Sequence, residues 1–179
     1  MHKLIVMGVA GSGKSTLAAG VALALDGEMV EGDDYHLPAS QDKMRRGIAL
    51  QDSDREPWLD RLGAEIGARP GDVVATCSAL KRTYRERLRA RVPDLKFVFV
   101  DISQALAELR VGSRPAHLFP PSLVASQFAA LESPVGEAGV LCVPASLAPQ
   151  AQLDSVTRWL AAAPDATSCL HDRAGLETL

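Results

Sequence analysis

At 179 residues with 47% hydrophobic side chains, the chain can bury one substantial core and falls within the usual length of a single domain. Nineteen basic against 22 acidic residues give a net charge of −3, which argues against a protein built mainly to coat nucleic acid or an anionic membrane. Three scattered cysteines, Cys77, Cys142 and Cys169, form no C-x-x-C pair and read as buried thiols rather than a zinc site or a disulfide framework.

No charged leader with an apolar segment precedes the first strand, and no uninterrupted apolar run approaches about 18 residues, so a cytoplasmic protein that spans no membrane is expected. That strand is the run Leu4 to Met7. Directly after it, Gly8-Val9-Ala10-Gly11-Ser12-Gly13-Lys14-Ser15-Thr16 fits the phosphate-binding pattern G-x-x-x-x-G-K-[ST]. Glycines let successive backbone N–H groups turn inward on a phosphate, Lys14 reaches the outer phosphates, and Ser15 offers a hydroxyl to Mg²⁺. Leu17, Val21 and Leu25 then recur at helical spacing, so a helix N-terminus also faces the anion. Gly27 is expected to stop that helix, and Glu28 to Glu31 to form a second strand ending at Gly32-Asp33-Asp34.

A polar segment follows, from Tyr35-His36 through Lys43 to Gly47, and leads to Asp54, the expected cap of the next helix. In that helix Trp58, Leu59, Leu62 and Ile66 share a face, and Pro70-Gly71 ends it before the strand at Val73-Val74-Ala75. Beyond Ser78 a helix crowded with Lys81, Arg82, Arg85, Arg87, Arg89 and Arg91 is closed by Pro93, and Phe97 to Val100 make a fourth strand. Asp101 resembles the Mg²⁺-binding aspartate of many phosphate-loop proteins, but it reads here as a cap for the helix beginning near Ser103. That helix leads to the basic connection Arg110 to His117, a candidate lid. Another helix around Leu123, Phe128 and Leu131, a fifth strand at Gly139 to Val143 and a closing amphipathic helix through Trp159 complete the pattern.

The alternation predicts an α/β fold of the P-loop kinase type: a five-stranded parallel sheet with helices on both faces and a mobile lid, ligands gathering at the carboxyl ends of the strands. Residues 1–163 are expected to form one domain, with the lid at about 110–120, and 164–179 a weakly ordered tail.

A phosphotransferase also needs an acceptor held in line and a group that takes or orients its proton. Asp33, at the tip of the second strand, is the first candidate; the competing reading is that Asp33 and Asp34 are ordinary turn residues. Basic side chains around Lys43, Arg55 and Lys81 favour an anionic acceptor, with Lys81 and Arg85 expected to share a helix face, while Arg87, Arg89 and Arg91 read as a solvated face paired with acids. Arg110 and Arg114, also four apart, are expected to close over the transferring phosphate.

Several stretches together resemble the gluconokinases, small ATP-dependent sugar-acid kinases related in fold to shikimate kinase. They are the phosphate loop, Gly32-Asp33-x-x-His36, Lys43-Met44, Asp54-Arg55-x-Pro57-Trp58-Leu59, and Cys77-Ser78-Ala79-Leu80-Lys81-x-x-Tyr84-Arg85. Arg114, His117 and Ser126-Gln127-Phe128 add to these. The resemblance implies transfer of the ATP γ-phosphoryl group to the 6-hydroxyl of D-gluconate, with Mg²⁺ on Ser15 and Lys14 and Asp33 as catalytic residues. Gly11, Ser12, Gly13, Lys14, Ser15, Thr16, Arg110 and Arg114 would bind the nucleotide. Asp33, His36, Lys43, Arg55, Ser78, Lys81 and His117 would bind the acceptor. It also implies a homodimer, for which the sequence carries no interface signal. On the residues alone, a shikimate-type kinase and a noncatalytic nucleotide-binding switch stay open as alternatives.

Overall fold

The computed structural model describes residues 1–113 and 122–162. Its strands are β1 (Lys3–Met7), β2 (Glu28–Val30), β3 (Val73–Cys77), β4 (Lys96–Asp101) and β5 (Val140–Pro144). They pair in parallel in the order β2-β3-β1-β4-β5. The helices are α1 (Lys14–Ala24), α2 (Pro38–Arg45), α3 (Asp52–Ala68), α4 (Arg82–Arg91), α5 (Gln104–Gly112), α6 (Ser122–Ala130) and α7 (Pro149–Ala161), with a 3₁₀ turn at Gly32–Tyr35. Among the described residues no helix is long and apolar enough to cross a membrane.

Strands buried on both faces need apolar residues at every position, and the β strands here are close to continuous apolar runs. Leu4, Val6, Val74, Val98, Val100 and Leu141 pack with Leu17, Val21 and Val156 of α1 and α7. The alternate residues Ile5, Met7, Ala75, Phe97 and Phe99 pack with Trp58, Leu62 and Ile66 of α3 and Leu88 of α4. Cys77 and Cys142 are buried in that second layer, and burial pushes the Cys77 thiol up to about 12, so it stays protonated.

From β1 the chain runs out to β2 and back to β3 on one side, then crosses to β4 and β5 on the other, so the connections leaving the neighbouring strands β1 and β3 diverge, and at such a point open α/β sheets collect ligands. Register then aligns the strand tips. Met7 lies opposite Cys77, and Gly8 N–H donates to the Ser78 carbonyl at 3.3 Å. Val30 lies opposite Ala75, and just beyond the end of β2 the Gly32 N–H donates to the Thr76 hydroxyl at 3.1 Å, which holds the turn carrying Asp33 against the tip of β3. A side chain at Gly32 would place its Cβ 1.9 Å from the Thr76 carbonyl oxygen, so only glycine lets β2 end this close to β3.

Several local expectations are corrected. Gly27 is not the left-handed residue ending α1; Asp26 is, at φ 50°, while the N–H groups of Asp26 and Gly27 close a Schellman motif on Leu23 and Ala22. Gln51, not Asp54, caps α3; Asp54 sits at the third position and returns a bond to the Gln51 N–H at 3.0 Å. Asp101 ends β4, and the cap of α5 is Ser103, which accepts from Leu106 N–H. The polar segment after His36 contains α2, which begins with proline in its first turn and buries only Ser40, so it has no apolar stripe to betray it.

The basic helix α4 is neutralised from its surroundings. Arg87 and Arg91 reach Asp60 of α3 at 2.7 and 3.4 Å, and Arg82 pairs with Glu86. Arg85 does not share an acceptor face with Lys81: it is fully buried, paired with Glu137, and donates to the Ala79 and Leu80 carbonyls at 2.9 and 3.1 Å. It thereby holds the turn after β3, where Ala79 stands at φ 44°. Replacing Arg85 by Ala strands Glu137 and frees this turn, so urea unfolding should show a loss of about 3–5 kcal/mol; a loss below about 1 kcal/mol would contradict this role.

Candidate active site

The phosphate loop leaves β1 at Gly8 and enters α1 at Lys14. Gly8 stands at φ 140°, and a Cβ there would come 2.9 Å from the Val100 carbonyl oxygen, so the loop must open with glycine to pass the end of β4. The N-terminus of α1 has no side-chain cap and no acidic residue in its first turn. The first-turn N–H groups, which a helix cannot satisfy from within, together with the buried Ser12 hydroxyl, which has no hydrogen-bond partner, suit an anion. Lys14 Nζ donates to the Val9 carbonyl at 3.0 Å, folded along the loop.

Two cavities meet on this loop, and Gly11, Gly13 and Thr16 line both. The first, of about 470 Å³, runs between α1, the end of α5 and the segment from Ala145 to Leu153. Arg110 forms part of its wall. Its guanidinium donates to the Gly11 and Ser12 carbonyls at 3.4 and 3.3 Å and to Ala145 at 3.1 Å, so it braces the loop from this side. Apolar walls from Leu17, Leu147 and Leu153 suit a flat base, and the contribution of 145–153 has no sequence signature.

The second cavity, of about 390 Å³, lies across the loop. It brings together Lys14, Ser15, Asp33, His36, Arg55 and Ser78, residues from four separate segments. Asp33 sits in the 3₁₀ turn after β2 and, as a turn residue, also lines the cavity. His36 stacks on Trp58 with ring centroids 4.0 Å apart, and its Nε2 lies 3.9 Å from Asp33. Trp58 is fixed in turn by donating its indole N–H to the Gly32 carbonyl at 2.7 Å. Arg55 is held by the Leu50 carbonyl at 2.7 Å.

Lys43 and Lys81 do not join this group. Lys43 pairs with Asp54 at 2.7 Å, and Lys81 with Asp52 at 2.7 and 2.8 Å, both outside the cavity wall. Asp52 also accepts from the Tyr84 hydroxyl, and the bonds from Lys81 and then Tyr84 hold its carboxyl below the ordinary range. These lysines thus anchor the first turn of α3 and, through it, Arg55. Arg114 and His117 of the expected lid lie outside the described residues. Gln127 of α6, to which the sequence attached no role, lines the second cavity and accepts from Ala10 N–H at 2.6 Å.

A phosphate loop at the central edge of a 2-3-1-4-5 parallel sheet, with a cavity on either side, defines a P-loop kinase. Residues 4–134 match the family model described as an AAA domain. The chain is 42% identical to the gluconokinase of Gluconobacter oxydans (strain 621H) over 87% of its own length and 89% of that protein's. Among solved structures it is similar to a sugar kinase from Janibacter sp. HTCC2649, with a TM-score of 0.86 and 38% identity covering 92% of this chain and 96% of that one. The gluconokinase from Sinorhizobium meliloti 1021 matches with a TM-score of 0.79 and 38% identity, covering 89% and 95%. The chain belongs to the gluconokinase family.

Burial, and next the charge of Arg55, lower the His36 pKa from 6.5 to about 4, so the ring is neutral at pH 7. Between these values the unfolded chain takes up a proton that the folded one refuses. Stability should therefore fall by about 3 kcal/mol as pH drops from above 6.5 to below 4. Urea unfolding of wild type and His36→Gln at pH 7 and pH 4.5 should show a smaller acid loss in the variant; equal losses would contradict the neutral, buried histidine.

Proposed function

We propose that the protein transfers the terminal phosphoryl group of ATP to the 6-hydroxyl of D-gluconate, giving 6-phospho-D-gluconate and ADP. The observation that carries this reading is the loop shared by two cavities, which suits a donor nucleotide on one side and a small acceptor on the other. Family membership supplies the acceptor's identity. The base would lie against Arg110 and the Ala145 to Leu153 wall, with the phosphates in the loop amides of Gly11 to Thr16. Lys14 would swing from the Val9 carbonyl onto the outer phosphates.

On the acceptor side, Asp33 would orient the hydroxyl and receive its proton as the oxygen–phosphorus bond forms. Arg55 supplies positive charge for the carboxylate of a sugar acid, and Ser78 and neutral His36 supply polar groups for its hydroxyls. Burial, and next the charge of Arg55, keep the His36 ring uncharged, so it can serve as both donor and acceptor toward an alcohol. Lys43 and Lys81 contribute by fixing α3 rather than by touching the acceptor.

Ser15 lies in the same cavity as Lys14 and Asp33. Among the described residues no cluster of three or more His, Cys, Asp or Glu could cage a metal ion. A single hydroxyl beside a phosphate cradle fits Mg²⁺, which retains several waters and takes phosphate oxygens as ligands. When bound, the ion neutralises charge on the outer phosphates.

Purified protein with Mg-ATP should release ADP with D-gluconate and far less with shikimate or glucose. Equal turnover on all three, or none with gluconate, would defeat the acceptor assignment. Asp33→Asn should lower kcat by on the order of 10²–10⁴ while the KM for ATP changes only a few-fold; unchanged kcat would remove Asp33 from proton transfer.

A further inference from the structure

The loop is gripped from its two sides by different residues. Arg110 holds the Gly11 and Ser12 carbonyls from the base side. On the other side, Gln127 Oε1 accepts from Ala10 N–H at 2.6 Å, a bond spanning 117 residues of sequence. Ala10 lines only the acceptor cavity, so this contact sits on the lip over which a phosphoryl group would cross. A backbone N–H can only donate, which fixes the carboxamide oxygen on Ala10 and leaves the NH₂ end, with its two donors, for another partner. Gln127 itself lines the cavity with Lys14 and Asp33.

We propose that Gln127 is a further catalytic residue: its oxygen holds the acceptor-side lip of the phosphate loop, and its NH₂ donates to the terminal phosphoryl group of the nucleotide. This rests on reading the cavity pair as a phosphoryl-transfer site. A neutral carboxamide does both jobs at once, because it accepts from the loop and donates to an anion. A carboxylate would keep the first and lose the second. The contact exists only when a third phosphate is present, so Gln127 distinguishes ATP from ADP and has no part in holding the two inner phosphates.

Calorimetric binding of ADP and of a non-hydrolysable ATP analogue with an imido bridge, both with Mg²⁺, tests this on wild type, Gln127→Glu and Gln127→Leu. Gln127→Glu retains an acceptor for Ala10 N–H, so a purely structural brace would be rescued by it. The proposal expects analogue affinity in Gln127→Glu to fall about tenfold or more, the usual cost of a lost bond to a charged group, with ADP affinity within about twofold. Gln127→Leu adds no charge but also removes the bond from Ala10 N–H, so the analogue-to-ADP affinity ratio should fall there too, with a smaller loss for ADP alongside. An analogue-to-ADP ratio unchanged in Gln127→Glu would overturn the proposal. The readout needs no acceptor: wild type that turns over no gluconate but shows the selective loss sinks the acceptor assignment alone. Intact gluconate turnover with an unchanged ratio sinks the Gln127 role alone.

Discussion

Close passage of one backbone against another is the constraint on which the site depends. At Gly32 the chain leaving β2 runs so near the Thr76 carbonyl that no side chain fits, and at Gly8 the chain leaving β1 clears Val100 only as glycine. Parallel pairing sets these tips level, Met7 with Cys77 and Val30 with Ala75. The consequence is functional: Asp33 and Ser78 arrive beside Lys14 and Ser15 although the sequence separates them widely. Trp58 then locks the arrangement by bonding the Gly32 carbonyl and stacking on His36.

Charge is organised around this backbone frame. Most of the conspicuous cations of the sequence are committed to neighbours: Lys43 to Asp54, Lys81 to Asp52, Arg85 to Glu137 and Arg87 to Asp60. Their work is architectural, since α4 could not lie against α3 with its arginines uncompensated. Arg55 is different: a backbone carbonyl positions it while it still faces the cavity, where an anionic ligand would meet its charge. The loop itself is tensioned between Arg110 and Gln127, each contributed by one of the two helices that flank 114–121.

The strands and the loop were legible in the sequence because each rests on local chemistry: apolar runs long enough to be strands, and a nine-residue pattern whose glycines and lysine have few other uses. Asp33 was legible as well, since it follows a strand and the sheet rule puts strand ends in the crevice. What escaped depends on partners distant in the chain. Nothing near Lys81 announces that Asp52 will take its charge, nor near Arg85 that Glu137 will bury it. Helix α2 lacked an apolar face, and the cap of α3 fell on Gln51 because Asp54 was needed one turn in, where it also holds Lys43. The wall at 145–153 and the grip of Gln127 on Ala10 exist only in three dimensions.

In the proposed reaction one loop separates a nucleotide from a sugar acid and joins them for transfer. A crystal structure of the protein with a non-hydrolysable ATP analogue and D-gluconate tests it most directly. It should show the triphosphate across Gly8 to Thr16, the base against Arg110, and the gluconate 6-hydroxyl within hydrogen-bond reach of the Asp33 carboxylate. Gluconate bound outside this cavity, or seated with its carboxylate rather than its 6-hydroxyl toward Asp33, would contradict the account.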